Sequence, residues 1–123
     1  MPKISIIIPV YNGENYLSQT LDSLAAQTFR DFELIIIDGA STDKTLEIIH
    51  KYKDIVTTLI SEPDNGMYFA VNKGLKLADG EILAYLNSDD MYNPDTLCTV
   101  LNTFSKNKSC NILYGDLQFV DTT

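Results

Sequence analysis

Apolar runs alternate with helix-period segments along the whole chain. The apolar runs predict strands at residues 3–9, 32–38, 56–61 and 81–86, with final strands at 111–116 and 117–120. Apolar residues at helical spacing predict four helices, at residues 14–27, 42–53, 66–78 and 94–106. Strand–helix alternation of this kind predicts an α/β fold, with a mostly parallel central sheet flanked by helices.

The helical spacing also predicts which face of each helix packs on the sheet. The first helix is expected to turn Leu17, Leu21, Leu24 and Ala25 inward. The third is expected to bury Met67, Val71, Leu75 and Ala78.

Composition narrows the class of protein. At 123 residues, with 45% hydrophobic and 21% charged residues, the chain is predicted to be one globular domain, 1–123. Nine Lys and Arg against 17 Asp and Glu give a net charge of −8, which argues against a nucleic-acid surface. With so few cations, a bound polyphosphate would need a metal ion or backbone N–H groups.

Features that mark a compartment are few. The two cysteines, Cys98 and Cys110, are expected to be reduced, no signal peptide precedes the first strand, and we predict a cytoplasmic location. No apolar run approaches the ~20 residues that a membrane-spanning helix requires, so no transmembrane segment is expected in this chain.

Polar clusters follow four of the predicted strands. They read VYNGE at 10–14, DGASTD at 38–43, EPDNG at 62–66 and NSDD at 87–90. Because the carboxyl ends of parallel strands meet at one edge of a sheet, these loops are expected to converge. Each alone is an ordinary loop, but four together suit nucleotide binding at a topological switch point.

Individual residues suggest the chemistry. Asp89 and Asp90 end an apolar run, where adjacent carboxylates are expected either to hold a divalent cation or to form a polar turn before a helix. Tyr11 is expected to stack on a base or to pack in the core. Asp38 is expected to accept hydrogen bonds from a base or ribose, or from neighbouring loop amides.

Three segments make the pattern specific. They are ISIIIPVYNGENYL, SLAAQTFRDFELIIIDGASTDKT and SEPDNGMYFAVNKGLKLADGEILAYLNSDDMYNPDTL, which together fall within residues 4–97. In this order and spacing they resemble the N-terminal, nucleotide-sugar-binding part of family 2 glycosyltransferases. The resemblance implies the Rossmann-like GT-A fold, truncated here at its C-terminus.

The resemblance also implies an activity. Relatives of this kind transfer a hexosyl group, with inversion, from a UDP- or GDP-linked sugar to a hydroxyl of a saccharide or lipid-linked acceptor. Such transfer serves polysaccharide, cell-wall or glycolipid synthesis, and it implies Mg²⁺ or Mn²⁺ as cofactor. The full-length protein would then be cytoplasmic or membrane-associated.

The family's site residues map onto this sequence one by one. Asp89 and Asp90 would hold the metal ion. The nucleotide-sugar contacts implied by the resemblance are Pro9, Tyr11, Asn12, Glu14, Asp38, Asn72, Lys73, Asn87 and Ser88.

Two positions depart from the family's pattern. Gly39 stands where a second acid often follows Asp38, so one base contact is missing or comes from elsewhere. Asn87 stands where the D-x-D metal motif has its first Asp, which leaves Asp89 as the principal ligand.

The resemblance places the catalytic base beyond this region. Asp116 and Asp121 are candidates by elimination only, and we favour neither. We therefore expect this chain to bind donor nucleotide but to transfer little or no sugar. Two explanations remain open for the bare edge of its last predicted strand: a homodimer, or a longer protein, which we favour.

Three other classes of protein are alternatives. A non-catalytic nucleotide-binding module remains open. A phosphoacceptor receiver domain needs acids after strand one and a Lys after the last strand, where this chain reads VYN and YGD. A dinucleotide oxidoreductase needs G-x-G-x-x-G, which Gly13 alone does not supply.

Overall fold

Four strands and four helices alternate along the part of the chain that the structure describes. A computed structural model describes residues 2–116 and 118–119. In chain order the elements are β1 Ile4–Val10, α1 Leu17–Ala25, β2 Phe32–Asp38, α2 Thr45–Lys51, β3 Thr58–Ser61, α3 Met67–Leu77, β4 Ile82–Tyr85 and α4 Thr96–Lys106.

The strands form one parallel sheet in the order β3-β2-β1-β4. Val10, the last residue of β1, pairs with Asp38, the last residue of β2. On the other side of β1, Ile7 pairs with Tyr85 of β4. All four carboxyl ends therefore lie at one edge of the sheet, as predicted. Successive strands run outward from β1 to β3, and the chain then returns to place β4 on the other side of β1, which makes a switch point between β1 and β4.

Layers of helix cover both faces of the sheet. Residues of β1 and β2 that point to one side form a core with the buried leucines of α1, Ile49 of α2 and Leu97 of α4. Those that point to the other side, among them Ile7 and Ile35, pack with Ala70 of α3. Because both faces are buried, β1 and β2 are almost continuously apolar rather than alternating.

The inward face predicted for α3 is wrong for Met67 and Leu75, whereas Ala78 packs against the core as predicted. Met67 and Leu75 are 43% and 39% exposed, whereas Ala70 and Gly74 are buried. Val71 and Ala78 are half-buried. The helix packs closely on β1 through small residues, since a Cβ on Gly74 would lie 2.5 Å from Cγ2 of Ile7. On α1, Leu17, Leu21 and Leu24 are buried as predicted, but Ala25 is exposed.

The predicted strand at 111–116 is also wrong. These residues have no regular secondary structure, and Ile112 and Tyr114 are exposed. A β-type sequence forms a strand only where a neighbouring strand offers its backbone, and the ladder ends at β4 among the described residues. Residues 118 and 119 are likewise irregular. The second predicted strand spans residues 117–120, and two of these, Leu117 and Val120, lie outside the described residues.

Candidate functional site

A cleft of about 730 Å³ opens at the carboxyl edge of the sheet. Each of the four loops that lead from a strand to the next helix contributes at least one residue to its wall. Its lining residues are Pro9, Val10, Tyr11, Gly39, Pro63, Asp64, Gly66, Met67, Asn87, Ser88 and Asp89. The structure thus brings together five of the predicted site residues, namely Pro9, Tyr11, Asn87, Ser88 and Asp89.

Tyr11 presents its ring to the cleft. It follows the buried residues Pro9 and Val10 at the end of β1, and its side chain is 63% exposed. Of the two roles expected for Tyr11, packing in the core is therefore wrong. An exposed ring beside a cleft offers a flat apolar face on which a planar ligand can stack.

Asp38 lies behind the cleft wall and is fully buried. Its Oδ2 accepts hydrogen bonds from the backbone N–H of Ser41 at 3.0 Å and from the hydroxyl of Ser61 at 2.7 Å. These bonds join the loops that follow β2 and β3. In this structure Asp38 therefore satisfies neighbouring loop groups, which is the second of the two roles expected for it.

Asn12 and Glu14 hold the loop after β1 against the loop after β2. Asn12, at φ 50°, accepts the backbone N–H of Thr42 on Oδ1 at 2.8 Å. Glu14 accepts the backbone N–H of Lys44 on Oε2 at 3.1 Å, just before α2. Neither residue lines the cleft. Because residues 12–14 make these bonds, α1 begins at Leu17 rather than at the predicted residue 14.

Asp43 takes part in the same set of hydrogen bonds between the loops after β1 and β2. Partial burial would raise the pKa of its carboxyl, but hydrogen bonds from the side chain and backbone of Thr45 and from the backbone of Glu14 outweigh it and lower the pKa. The N–H of Glu14 donates to Oδ2 of Asp43 at 3.2 Å. A charged Asp43 is therefore part of the folded loop pair.

Asp64 fills the space beside Gly39. A Cβ built on Gly39 would lie 3.1 and 3.3 Å from the two carboxylate oxygens of Asp64. Oδ1 of Asp64 also accepts the backbone N–H of Gly66 at 3.0 Å. A carboxylate thus stands next to Gly39 in the cleft wall, although the sequence itself has glycine at this position.

The two acids of the loop after β4 point in different directions. Asp89 is exposed and lines the cleft. Asp90 is not a lining residue, and its Oδ2 accepts Nδ2 of Asn87 at 3.3 Å. Burial, and then the charge of Asp90, raise the pKa of the Tyr92 hydroxyl. In the described part of the chain, neither acid forms an ion pair with Lys or Arg.

Asn72 and Lys73 lie on α3, outside the cleft lining. Nζ of Lys73 forms an ion pair with Oε1 of Glu62 at 2.6 Å, which ties α3 to the end of β3. Asn72 is exposed. The structure therefore does not bring these two predicted contacts to the cleft.

A second cleft, of about 490 Å³, lies between β4 and α4. Its wall includes the ion pair of Lys3 with Glu81, near the amino ends of the strands, and contains none of the predicted site residues. All of the predicted site residues that line either cleft therefore lie at the carboxyl edge.

The family model for glycosyl transferase family 2 matches residues 5–122. The chain belongs to this family. Family membership decides against the receiver-domain and oxidoreductase alternatives. The sheet order also differs from the 2-1-3-4-5 order of a receiver domain.

Known relatives are glycosyltransferases. A PGL/p-HBAD biosynthesis glycosyltransferase of Mycobacterium bovis is 41% identical over 120 residues, which cover 94% of this chain and 47% of that protein. An uncharacterised glycosyltransferase of Rickettsia typhi is 38% identical, over 98% of this chain and 38% of its own length. The chain thus spans less than half the length of these relatives.

Solved structures share the fold. TarS 1–349 of S. aureus, in complex with UDP-GlcNAc, matches with a TM-score of 0.81 and 34% identity, over 86% of this chain and 32% of that one. The mannosyltransferase PcManGT of Pyrobaculum calidifontis, in complex with GDP-Man and Mn²⁺, matches with a TM-score of 0.77 and 29% identity, over 85% and 32%. The predicted α/β fold of a family 2 glycosyltransferase is confirmed.

The donor set of this family 2 chain fits a hard divalent cation that a ligand helps to hold. Asp89 is exposed toward the cleft and forms no ion pair with a described Lys or Arg, so its carboxylate is accessible as a ligand. Within residues 2–116 and 118–119, no three His, Cys, Asp or Glu side chains form a group that could hold a metal ion alone. Mg²⁺ commonly binds through one or two carboxylates plus phosphate oxygens and water, so a lone carboxylate suits a shared site.

Sequence reasoning missed residues that shape the site from behind. Thr20 and Gln27 are fully or almost fully buried, at 0% and 3% exposure. Both donate hydrogen bonds to the backbone of the loop between β4 and α4, residues 86–95, which we call the acidic loop. The sequence feature that could have identified them is a polar residue at helical spacing with the leucines of α1, because a buried polar group needs a hydrogen-bond partner. Asp64 was also missed as a neighbour of Gly39, since nothing local predicts that contact.

Proposed function

We propose that this chain binds the nucleotide-sugar donor of an inverting, metal-dependent glycosyltransferase. The reaction is transfer of a hexosyl group from a UDP- or GDP-linked sugar to a hydroxyl acceptor. Family membership supports transfer, and the neighbours solved with UDP-GlcNAc and with GDP-Man and Mn²⁺ support the donor class. The observation that carries the proposal is that Tyr11 and Asp89 line the same cleft.

The base occupies the part of the cleft walled by Tyr11, Gly39 and Asp64. Tyr11 stacks on the ring, over the buried Pro9. The Asp64 carboxylate, beside Gly39, accepts a ring N–H, a group that uracil and guanine both carry next to a carbonyl. Asp38 holds the two loops that form this wall and so supports the base from behind.

The diphosphate lies against the other wall, formed by Asn87, Ser88 and Asp89. Asp89 holds Mg²⁺ or Mn²⁺ together with phosphate oxygens, and Asp90 orients Asn87 through their side-chain bond. When bound, the cation stabilises the negative charge that develops on the leaving diphosphate.

The remaining family contacts have supporting roles in this proposal. Asn12 and Glu14 fix the loop that carries Tyr11. Asn72 and Lys73 enter through the resemblance alone, and Lys73 must leave Glu62 to reach a phosphate.

We propose that sugar transfer needs residues other than those described. A catalytic base must reach the acceptor hydroxyl. Asp116 is exposed in an irregular segment and does not line the cleft, and Asp121 lies outside the described residues. A non-catalytic nucleotide-binding role for the chain alone is thus the second candidate function. Detectable turnover by the isolated chain would exclude it.

The acceptor and setting complete the proposal. The acceptor is a saccharide or lipid-linked sugar, in polysaccharide or glycolipid synthesis on the cytoplasmic side of a membrane. None of the described helices is long and apolar enough to cross a bilayer. Homodimer formation and the single-domain assignment stay predictions.

Calorimetric titration with UDP and GDP, with and without Mn²⁺, tests the donor site. We expect Mn²⁺ to tighten binding of one nucleotide, and Asp89→Ala to weaken binding in Mn²⁺ by about tenfold or more, because the protein's ligand to the ion is lost. The matched control is Asp54→Ala, an exposed carboxylate just after α2, at the far end of that helix from the cleft. Equal losses in both variants, or no binding of either nucleotide, would contradict the proposal.

A further inference from the structure

A row of polar residues begins on the buried face of α1 and continues just past its end. Thr20 and Ser23 lie on α1 and Gln27 follows it, at spacings of three and four residues, and we call these three the α1 polar row. The row lies among the buried leucines, beside Leu21 and Leu24. Burying polar groups in such a face is unfavourable unless each finds a hydrogen-bond partner.

The partners are backbone groups of the acidic loop. The hydroxyl of Thr20 donates to the carbonyl oxygen of Ser88 at 2.9 Å. Oγ of Ser23 accepts the backbone N–H of Tyr92 at 3.2 Å. The loop is therefore held by α1 on both sides of Asp89.

Gln27 completes the row with two further bonds. Its Nε2 donates to the carbonyl oxygen of Asn93 at 2.7 Å. Its Oε1 accepts the backbone N–H of Leu97 in the first turn of α4 at 3.1 Å. Because α4 has no side-chain cap of its own, Gln27 supplies that cap from the segment just after α1. The loop and the start of α4 thus share one support.

Asp89 lies between the loop residues that the α1 polar row binds, and none of the row's hydrogen bonds involves it. Its side chain is exposed in the cleft, while the residue before it is fixed by Thr20. A carboxylate on a loop without such supports would sample many directions, and ordering it would weaken ion binding.

We propose that the α1 polar row, and Thr20 above all, positions Asp89 for the cation that accompanies the nucleotide. This inference rests on the proposed function, because it requires metal-linked nucleotide binding at Asp89. Thr20, Ser23 and Gln27 are positioning residues, since none of them lines the cleft.

The test compares UDP and GDP affinity with and without Mn²⁺ in Thr20 variants of this chain. Thr20→Val removes the donor at nearly constant shape, and we expect the Mn²⁺-dependent gain in affinity to fall by about three- to tenfold, while affinity without metal stays the same. Thr20→Ser keeps the hydroxyl and should keep the gain. Thr103→Val is the matched control, because the Thr103 hydroxyl bonds only within α4, to the Thr99 carbonyl.

A milder variant covers the case in which Thr20→Val does not fold. Ser23→Ala removes the half-buried acceptor of the Tyr92 N–H, and the Mn²⁺-dependent gain should fall in the same direction. A lower melting temperature with an unchanged gain, in whichever variant folds, would show a merely structural role and overturn the inference. A wild-type chain without any Mn²⁺-dependent gain would instead overturn the proposed metal-linked function.

Discussion

At the scale of single residues, the Asp43 carboxylate shows how charge stabilises the cleft wall. It accepts the backbone N–H of Glu14 at 3.2 Å and that of Thr45 at 2.9 Å. Because these donors favour the ionised form, the folded-state pKa is lowered from its ordinary value of 3.8. The stabilisation is present above that value and is lost as pH falls through the lower folded pKa.

We therefore predict that Asp43→Asn removes a pH-dependent part of the stability. At pH 7 the variant should melt at a lower temperature than the wild type, because the amide offers only one acceptor oxygen. The gap should shrink as pH falls below 3.8, because Asp43 is then protonated in the unfolded chain and, below its lower folded pKa, in the folded chain as well. Thermal melts monitored by circular dichroism from pH 7 to pH 2.5 measure it. A gap that stays constant over this range would contradict the assignment.

Residue chemistry was predictable from the sequence, but side-chain direction was not. An acid after an apolar run indicated Asp89, and the structure exposes it in the cleft. Asp38 and Glu14 were expected at the nucleotide, yet their carboxylates bond to other loops. Their partners, and the contact of Gly39 with Asp64, depend on how the strands assemble. No local pattern encodes that arrangement.

At the scale of elements, α3 is distinguished by packing through small residues. Gly74 faces β1 so closely that a Cβ would lie 2.5 Å from Cγ2 and 3.2 Å from Cβ of Ile7, whose side chain is fully buried. The leucine and methionine positions of α3 consequently point outward. The period of the helix was predicted correctly and its phase was not.

This packing predicts an unusual sign for Gly74→Ala. In an open helix the change stabilises by about 1 kcal/mol, but here we expect a net loss of about 1–3 kcal/mol because the added methyl group overpacks the contact with Ile7. Urea unfolding measures the difference. Gly115→Ala is the control, since no atom lies within 4 Å of a Cβ there. A Gly74→Ala chain as stable as the wild type would show that α3 can move away from β1 at little cost.

The elements that were predicted well have strong and local signals. The leucines of α1 and the isoleucine runs of β1 and β2 are buried as expected. The strand predicted at 111–116 failed because its apolar residues need a neighbouring strand, and a sequence pattern does not show whether one is present.

At the scale of the whole molecule, one cleft is assembled from distant parts of the chain. Parallel pairing brings the ends of β1, β2, β3 and β4 to one edge, so residues 9–11 and 87–89 line the same cleft. The alternation of strands and helices predicted this edge. The strand order, which sets the loops that meet, could not be derived from that alternation and emerged only in the structure.

The central claim is that nucleotide and cation bind together at this edge. Backbone amide NMR spectra of the chain with UDP or GDP, recorded with Mn²⁺ and then with diamagnetic Mg²⁺, test it most directly. Paramagnetic broadening should be strongest at residues 87–90, weaker at 39–41 and 64–66, and weakest at 3–5 and 80–82 at the opposite end of the sheet. Asp89→Ala should remove it. Broadening centred on the opposite end, or broadening that survives Asp89→Ala unchanged, would contradict the account.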